Sequence, residues 1–304
     1  MDIKKINKSI ARFMARLAMT GCLLLVKIIP RPWLYSFAFG LGKFGYAIVT
    51  KQKKIARESL RIAFGSDKSD TEIEAIARDS FIYMAKSGIE VMVLLDKPEI
   101  LKKRVVLVGK ENLDNALNAG RGVILVSAHF GNFPLLMARL SLEGYKTNGI
   151  MRAMRDLRVE KIFKAKRDKV GVKTIYSVPR EACVSETINA LRNNELVFIP
   201  IDQNFGTAGI FVDFFGAKAA TATGPVVLAQ RSKAAIIPCF IIRQNDDTHK
   251  IIFEPALELI KGSDARETIQ INIQRLTNII ESYIRKYPAE WGWVHRRWKS
   301  RPNT

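Results

Sequence analysis

The sequence predicts an α/β fold: a mixed, largely parallel central sheet flanked by helices and preceded by an N-terminal hydrophobic, helical membrane anchor. Three observations predict it. Short apolar runs recur between residues 105 and 253 and alternate with segments of helical periodicity. The run 122–128 is apolar almost throughout, as a strand buried on both faces requires. The first 50 residues combine basic side chains with two apolar stretches.

In chain order, Lys4, Lys5, Lys8, Arg12 and Arg16 lead into an apolar stretch at 17–29, and after Pro30 and Pro32 a second runs over 33–49. Lys27 and the prolines break the first, and Gly40, Gly42 and Lys43 break the second, whereas a spanning helix wants ~20 mainly apolar residues. An interfacial or re-entrant anchor fits better than a clean span. No Ala-x-Ala-like site follows, against a cleaved signal peptide; an ordinary buried helical hairpin fits the same pattern. The domain division is 1–50 for the anchoring segment and 51–304 for one globular domain.

Helices are expected at 51–66 and 70–95, the second opening on the capping box Ser69-Asp70-Thr71-Glu72. Strands follow at 105–108, 122–128, 147–151, 196–201, 236–242 and 250–253. Helical patterns separate them at 111–119, 133–143, 156–168, 181–194 and 223–233, and a last amphipathic helix covers 265–286. Thr223 is placed to cap the helix that Pro225 helps to start. No internal repeat or low-complexity linker appears.

The formal charge of +20 calls for acidic company. No nucleic-acid-binding motif is present, and apolar residues adjoin the basic ones, so an anionic membrane is the better expectation and nucleic acid is set aside. Cys22, Cys183 and Cys239 have neither metal-like nor disulfide spacing, which fits a reducing, cytoplasm-facing location without a metal site.

Among three histidines, His249 is expected in a polar turn, Asp246-Asp247-Thr248, while His129 lies between the 122–128 strand and the helix marked by Leu135, Leu136 and Leu140. Ligands gather at the carboxyl ends of strands in open α/β sheets, and helix N-termini offer free N–H groups there. His129 is therefore a candidate catalytic imidazole, although a hydrogen-bonded structural histidine fits the same setting. The strand at 196–201 ends in Asp202-Gln203, which makes Asp202 a candidate partner, or else a turn-former. The stretches 211–216 and 219–225 either line a pocket or simply pack.

Taken in order, several blocks resemble the lipid A biosynthesis acyltransferases, the late lauroyl and myristoyl transferases of the lysophospholipid acyltransferase superfamily. They are His129-x-Gly-Asn-Phe, Arg167-x-x-x-Gly171, Asp202-Gln203, Phe214-Phe-Gly216 with Ala219 and Thr221-x-Thr-Gly224, Pro238, and Trp291-x-Trp-x-His-Arg-Arg-Trp-Lys299. The resemblance covers nearly the whole chain. It implies a glycerolipid acyltransferase-like fold and an enzyme on the cytoplasmic face of the inner membrane. It further implies transfer of a fatty acyl chain from an acyl carrier protein thioester, with acyl-CoA the alternative co-substrate, to a hydroxyl of a phosphorylated glycolipid. No other cofactor is implied. His129 matches the family's general base, and N–H groups around Gly131 and Asn132 are placed to hold the oxyanion.

The same blocks imply Asn132, Arg167, Gln203, Phe215 and Gly216 as substrate-binding positions, and Gly149-Ile-Met-Arg152 resembles the superfamily's second block, which implies Arg152 as a phosphate-binding arginine; a guanidinium group suits phosphate at both arginines. Lys161, Lys164, Lys166 and Lys169 around Arg167 also fit a solvated face. The C-terminal tryptophans and basic residues fit either an interfacial belt or a docking tail. One departure stands out: where the family carries Glu or Asp, four intervening residues after the histidine, this chain has Pro134. Three consequences are open. Asp202 takes over the orienting role, a backbone carbonyl holds the imidazole, or the protein is a silent lipid-binding homologue. A different lysophospholipid, aminolipid or glycolipid acceptor is the rival enzymatic reading.

Overall fold

The computed structural model describes residues 28–302 together with Gly21 and Leu25. Most of the apolar stretch expected at 17–29 lies outside the described residues. The second stretch forms helix α1 (Arg31–Ile48), followed by α2 (Thr50–Phe64) and α3 (Asp70–Leu94). Ser69 caps α3 as expected, accepting from Glu72 N–H while the Glu72 carboxylate accepts from Ser69 N–H.

Helix α1 neither floats nor spans: Leu34 and Ala38 pack with Ile89 of α3, and Gly42 meets α3 so closely that a Cβ there would lie 2.5 Å from Ile82 Cα. No helix among the described residues is long and apolar enough to cross a membrane. The outer side of α1 nevertheless leaves Trp33, Phe39, Leu41, Phe44 and Ile48 exposed.

Alternation then runs through α4 (Pro98–Arg104), β1 (Val105–Val108), α5 (Lys110–Asn118), β2 (Val123–Ser127), α6 (Phe133–Leu142), β3 (Thr147–Met151), α7 (Leu157–Lys169), β4 (Val172–Tyr176), α8 (Arg180–Arg192) and β5 (Leu196–Pro200). A hairpin, β6 (Ile210–Phe214) and β7 (Ala217–Thr221), precedes α9 (Gly224–Ser232), β8 (Ala235–Arg243), β9 (His249–Phe253) and α10 (Ala265–Lys286). Thr223 stands at the N-cap of α9 without a side-chain cap bond.

Seven strands form one sheet in the order β1-β9-β8-β2-β5-β3-β4. The five from β8 to β4 are parallel, and β9 turns back antiparallel to β8 with β1 parallel beside it. Both sheet faces are covered. Ile124 and Val126 of β2 enter one core cluster, with α2, α3 and α10, while Val123 and Leu125 enter the other, with α6. That two-sided burial is why the 122–128 run is apolar almost throughout.

Four elements escaped the sequence patterns. Strand β4 is the sheet edge and carries Lys173 and Thr174 in its five residues, so its apolar signal is diluted. Helix α4 has seven residues, too few to show periodicity. The β6–β7 hairpin turns on Phe215-Gly216, both at positive φ (54° and 71°), a two-residue turn without the usual Asn or Asp before its glycine.

Candidate active site

The two chemical residues of interest each lie two positions beyond a strand end, His129 after β2 and Asp202 after β5. These strands pair in parallel from Val123↔Leu196 to Ser127↔Pro200, and Ile201 N–H donates to Ser127 O at 3.1 Å just past them. Continuing the same register carries His129 onto Asp202. Their contact is His129 Nδ1 to Asp202 Oδ1, 2.8 Å.

The other carboxylate oxygen, Oδ2, accepts from Trp291 Nε1–H at 2.7 Å. Asp202 is 1 % exposed. Burial pushes its carboxyl upward, but His129 and the Trp291 N–H outweigh that and hold it well below the usual carboxylate range. For His129 burial disfavours the imidazolium, yet the Asp202 charge and hydrogen bond win and raise the imidazole above its ordinary value. Asp202 thus fixes Nδ1 as the protonated nitrogen and leaves Nε2 to accept a proton.

Gln203 meets that Nε2. Its Nε2–H₂ group donates to His129 Nε2 at 3.1 Å and to His295 Nε2 at 3.2 Å. The two imidazoles stand edge to face with centroids 5.3 Å apart. For His295, burial and the neighbouring His129 outweigh Asp202, so its imidazole is lowered and stays neutral.

The C-terminal segment builds the rest of the turn. Gly292 N–H donates to His129 O at 3.2 Å, Gly131 N–H to Glu290 O at 2.8 Å, and Phe130 bridges Trp291. Gly131 lies at φ 56°, where a Cβ would sit 2.0 Å from Ile241 O, so the position admits only glycine. Its N–H is spoken for by Glu290 and does not serve as the oxyanion donor expected there.

Asn132, also expected at the substrate, directs its amide away into the protein: Nδ2 donates to Ser87 O at 3.1 Å and to Glu90 Oε2 at 2.9 Å. Glu90 is the hub of a buried network, accepting from both terminal nitrogens of Arg243 at 2.7 Å and from Tyr35 Oη at 2.9 Å. Burial pushes the Glu90 carboxyl up, but His249 and Arg243 prevail and hold it at about 2. His249 is not in a polar turn, as its neighbours suggested. It opens β9, is 1 % exposed, and meets both Glu90 oxygens at 3.1 Å.

Arg152 is exposed at the cavity mouth, with no ion-pair partner among the described residues. Arg167 is committed instead, donating to Glu160 at 2.6 Å and to Thr174 Oγ1 at 2.9 Å. Glu160 in turn accepts from Met154 N–H at 2.8 Å, so Arg167 braces the loop that carries Arg152. Phe215 and Gly216 do not line the cavity: they make the hairpin turn, with Phe215 packed edge to face on Phe64 at 5.1 Å.

The interfacial-belt alternative for the C-terminal block is likewise corrected. Trp291, Trp293, Trp298 and Arg297 are all at most 5 % exposed. Arg297 donates to Gln203 O and Thr221 Oγ1, tying the hairpin to the Asp202-Gln203 turn. Trp291 and Arg297 are the site residues whose roles the sequence did not disclose. A buried indole N–H demands an acceptor, which was the available signal.

Pro134 falls in the first turn of α6, where a missing N–H breaks no helical bond, and it forms part of the cavity wall. That cavity has a volume of about 1290 Å³, beyond the ~300–1,000 Å³ of ordinary small-molecule pockets. His129, Gln203 and His295 stand on its wall, and Met92, Leu95, Met137, Met151 and Phe163 contribute apolar lining. Such a space suits a long hydrocarbon chain and an imidazole base suits hydroxyl deprotonation.

Comparison with known proteins agrees. The family model described as bacterial lipid A biosynthesis acyltransferase matches residues 2–300. The lipid A biosynthesis lauroyltransferase of Escherichia coli (strain K12) is 25% identical over 297 residues, covering 93% of this chain and 90% of its own. The palmitoleoyltransferase of the same organism is 23% identical over 291 residues, with the same two coverages, 93% and 90%. A phosphatidylinositol mannoside acyltransferase of Mycobacterium tuberculosis (strain ATCC 25618 / H37Rv) is 26% identical over 194 residues, 64% of this chain and 60% of its own.

Proposed function

The chain belongs to the bacterial lipid A biosynthesis acyltransferase family, and from that membership we propose that it moves a fatty acyl chain from an acyl carrier protein thioester to a hydroxyl of a lipid A precursor. The observation that carries the chemistry is the His129–Asp202 pair opening onto a cavity of about 1290 Å³.

In this reading the acceptor hydroxyl displaces the Gln203 amide and gives its proton to His129 Nε2 as its oxygen forms a bond to the thioester carbon. Asp202 holds the imidazole and stabilises its positive charge, the part played in the family by the carboxylate that Pro134 replaces. Backbone N–H groups at the entrance of α6, of the N-cap Asn132 and of Phe133, hold the developing oxyanion. The carbon–sulfur bond then breaks, the sulfur takes the proton back from His129, and the free thiol leaves. The thioester is already an activated donor, so the residues need supply only a base, its orienting carboxylate and hydrogen-bond donors.

Arg152, which lines the cavity and has no ion-pair partner among the described residues, is suited to an acceptor phosphate. The charge of +20 supports an acidic carrier protein as donor, with acyl-CoA the alternative. The exposed apolar side of α1 supports attachment at the cytoplasmic face of the inner membrane. Purified protein incubated with lauroyl-acyl carrier protein and a tetra-acylated lipid A precursor should yield the penta-acylated product by mass spectrometry. Removal of the base by His129→Ala should lower transfer ~10²–10⁴-fold; full activity in that variant would falsify the assignment.

A second reading keeps the chemistry and changes the acceptor to another glycolipid, favoured by the likeness to a phosphatidylinositol mannoside acyltransferase. Transfer to such an acceptor, with none to the lipid A precursor, would establish it. The contact of Asp202 with His129 weighs against a silent lipid-binding homologue.

A further inference from the structure

Gln203 is an exposed side chain, yet its amide nitrogen is shared by two ring nitrogens, His129 Nε2 at 3.1 Å and His295 Nε2 at 3.2 Å. One of those nitrogens is the base that must receive the acceptor's proton. The amide N–H therefore occupies the position in which the acceptor O–H has to stand, and it stands within hydrogen-bond reach of a second imidazole. Both histidines and Gln203 face the cavity.

We infer that His295 is a second residue of the reaction centre, holding the oxygen of the acceptor hydroxyl while His129 removes its proton, and that the Gln203 amide is a placeholder that swings out when the acceptor arrives. The inference rests on the acyl-transfer reading of the previous section.

Its chemistry is that of a neutral imidazole. A hydroxyl has one proton and two lone pairs: the proton goes to His129 Nε2, and a lone pair accepts from His295, whose ring proton sits on Nδ1 while the Gln203 amide donates to Nε2 and moves to Nε2 once that amide has left. No further bond is made or broken at His295, and the proton and acyl group move as already described. Neutrality matters because an imidazolium there would face the imidazolium forming on His129 at a centroid distance of 5.3 Å. Burial lowers His295 and so keeps it in the neutral form.

The backbone fixes the ring where this requires. His295 N–H donates to Gly292 O at 3.3 Å, and Ser59 Oγ–H donates to His295 O at 3.3 Å. A Cβ on Gly292 would come within 3.2 Å of His295 Nε2, so glycine at 292 leaves the ring its place beside the turn. The ring contributes a polar nitrogen aimed at the spot where the reaction occurs.

The test is steady-state kinetics with lauroyl-acyl carrier protein and the tetra-acylated lipid A precursor, varying each substrate in turn. For His295→Leu the expected result is a loss of ~10–100-fold in kcat/KM for the acceptor, the scale of one hydrogen bond to a group gaining charge. KM for the donor should be unchanged, which a merely structural role would not spare. His295→Gln, whose amide N–H reaches the same region, should recover most of the loss, and both variants should melt with the wild type. An active wild type matched within twofold by His295→Leu overturns the role of His295 alone. Equal losses in the two variants, with donor KM raised, also overturn it. An inactive wild type overturns the acyl-transfer reading and this inference with it.

Discussion

His129 carries a contradiction that the structure resolves. Burial argues for a weaker base and the Asp202 carboxylate for a stronger one, and the carboxylate wins. In the proposed transfer the imidazole must be neutral to act, and because it lies above its ordinary ~6.5 the acidic limb of the kcat/KM profile should fall above that value. Asp202→Asn removes the charge and leaves the burial, so the limb should move to lower pH. Activity should drop at least ~10²-fold, since the tautomer and the forming positive charge lose their support. A pH–rate profile of the two proteins checks both directions, and an unshifted limb would remove Asp202 from the mechanism. The residue types at this centre were legible in the sequence: the histidine at a strand end, the Asp-Gln pair at another. Trp291 as the second support of Asp202 was not, because 89 residues separate them and nothing local marks the contact.

At the scale of elements, the C-terminal segment 290–298 behaves as part of the active-site turn. It supplies Glu290 O to Gly131 N–H, Gly292 N–H to His129 O, and the indole to Asp202. Glu290 itself is 7 % exposed, and burial raises its carboxyl to about 8 despite the Arg243 backbone N–H that both oxygens accept at 3.1 Å. A group raised in the folded state contributes stability below its unfolded value, 4.5, and loses it as pH climbs towards 8. Glu290→Gln keeps an acceptor for Arg243 N–H and does not titrate. Its melting temperature relative to wild type should therefore climb between pH 5 and pH 8, by up to ~1.4 kcal/mol of stability per pH unit. Parallel melting curves across that window would refute the buried neutral acid. Strand and helix positions were mostly readable because periodicity is local, and β4 and the β6–β7 hairpin were missed where edge exposure and an atypical turn diluted it.

Across the whole molecule, the basic charge and the apolar outer side of α1 ask for the same surroundings. Trp33 is 68% exposed and Phe44 61%. Paired substitution of Trp33 and Phe44 by Asp should reduce co-sedimentation with phosphatidylglycerol-containing vesicles while leaving the melting temperature within about 2 °C, since neither side chain is in the core. Added salt should weaken the binding that remains. Unchanged co-sedimentation would place membrane contact elsewhere on the chain. By itself the sequence determined the alternation of strands and helices, the two strand ends that carry His129 and Asp202, and the family. Only the tertiary structure decided what holds the imidazole. Hydrophobic periodicity fixes elements and faces, but the register between β2 and β5, and the docking of a distant tail, arise from contacts between segments far apart in the chain. Those long-range contacts put Asp202 against His129, where Pro134 cannot serve, and turned His295 from a tail residue into a neighbour of the proposed base.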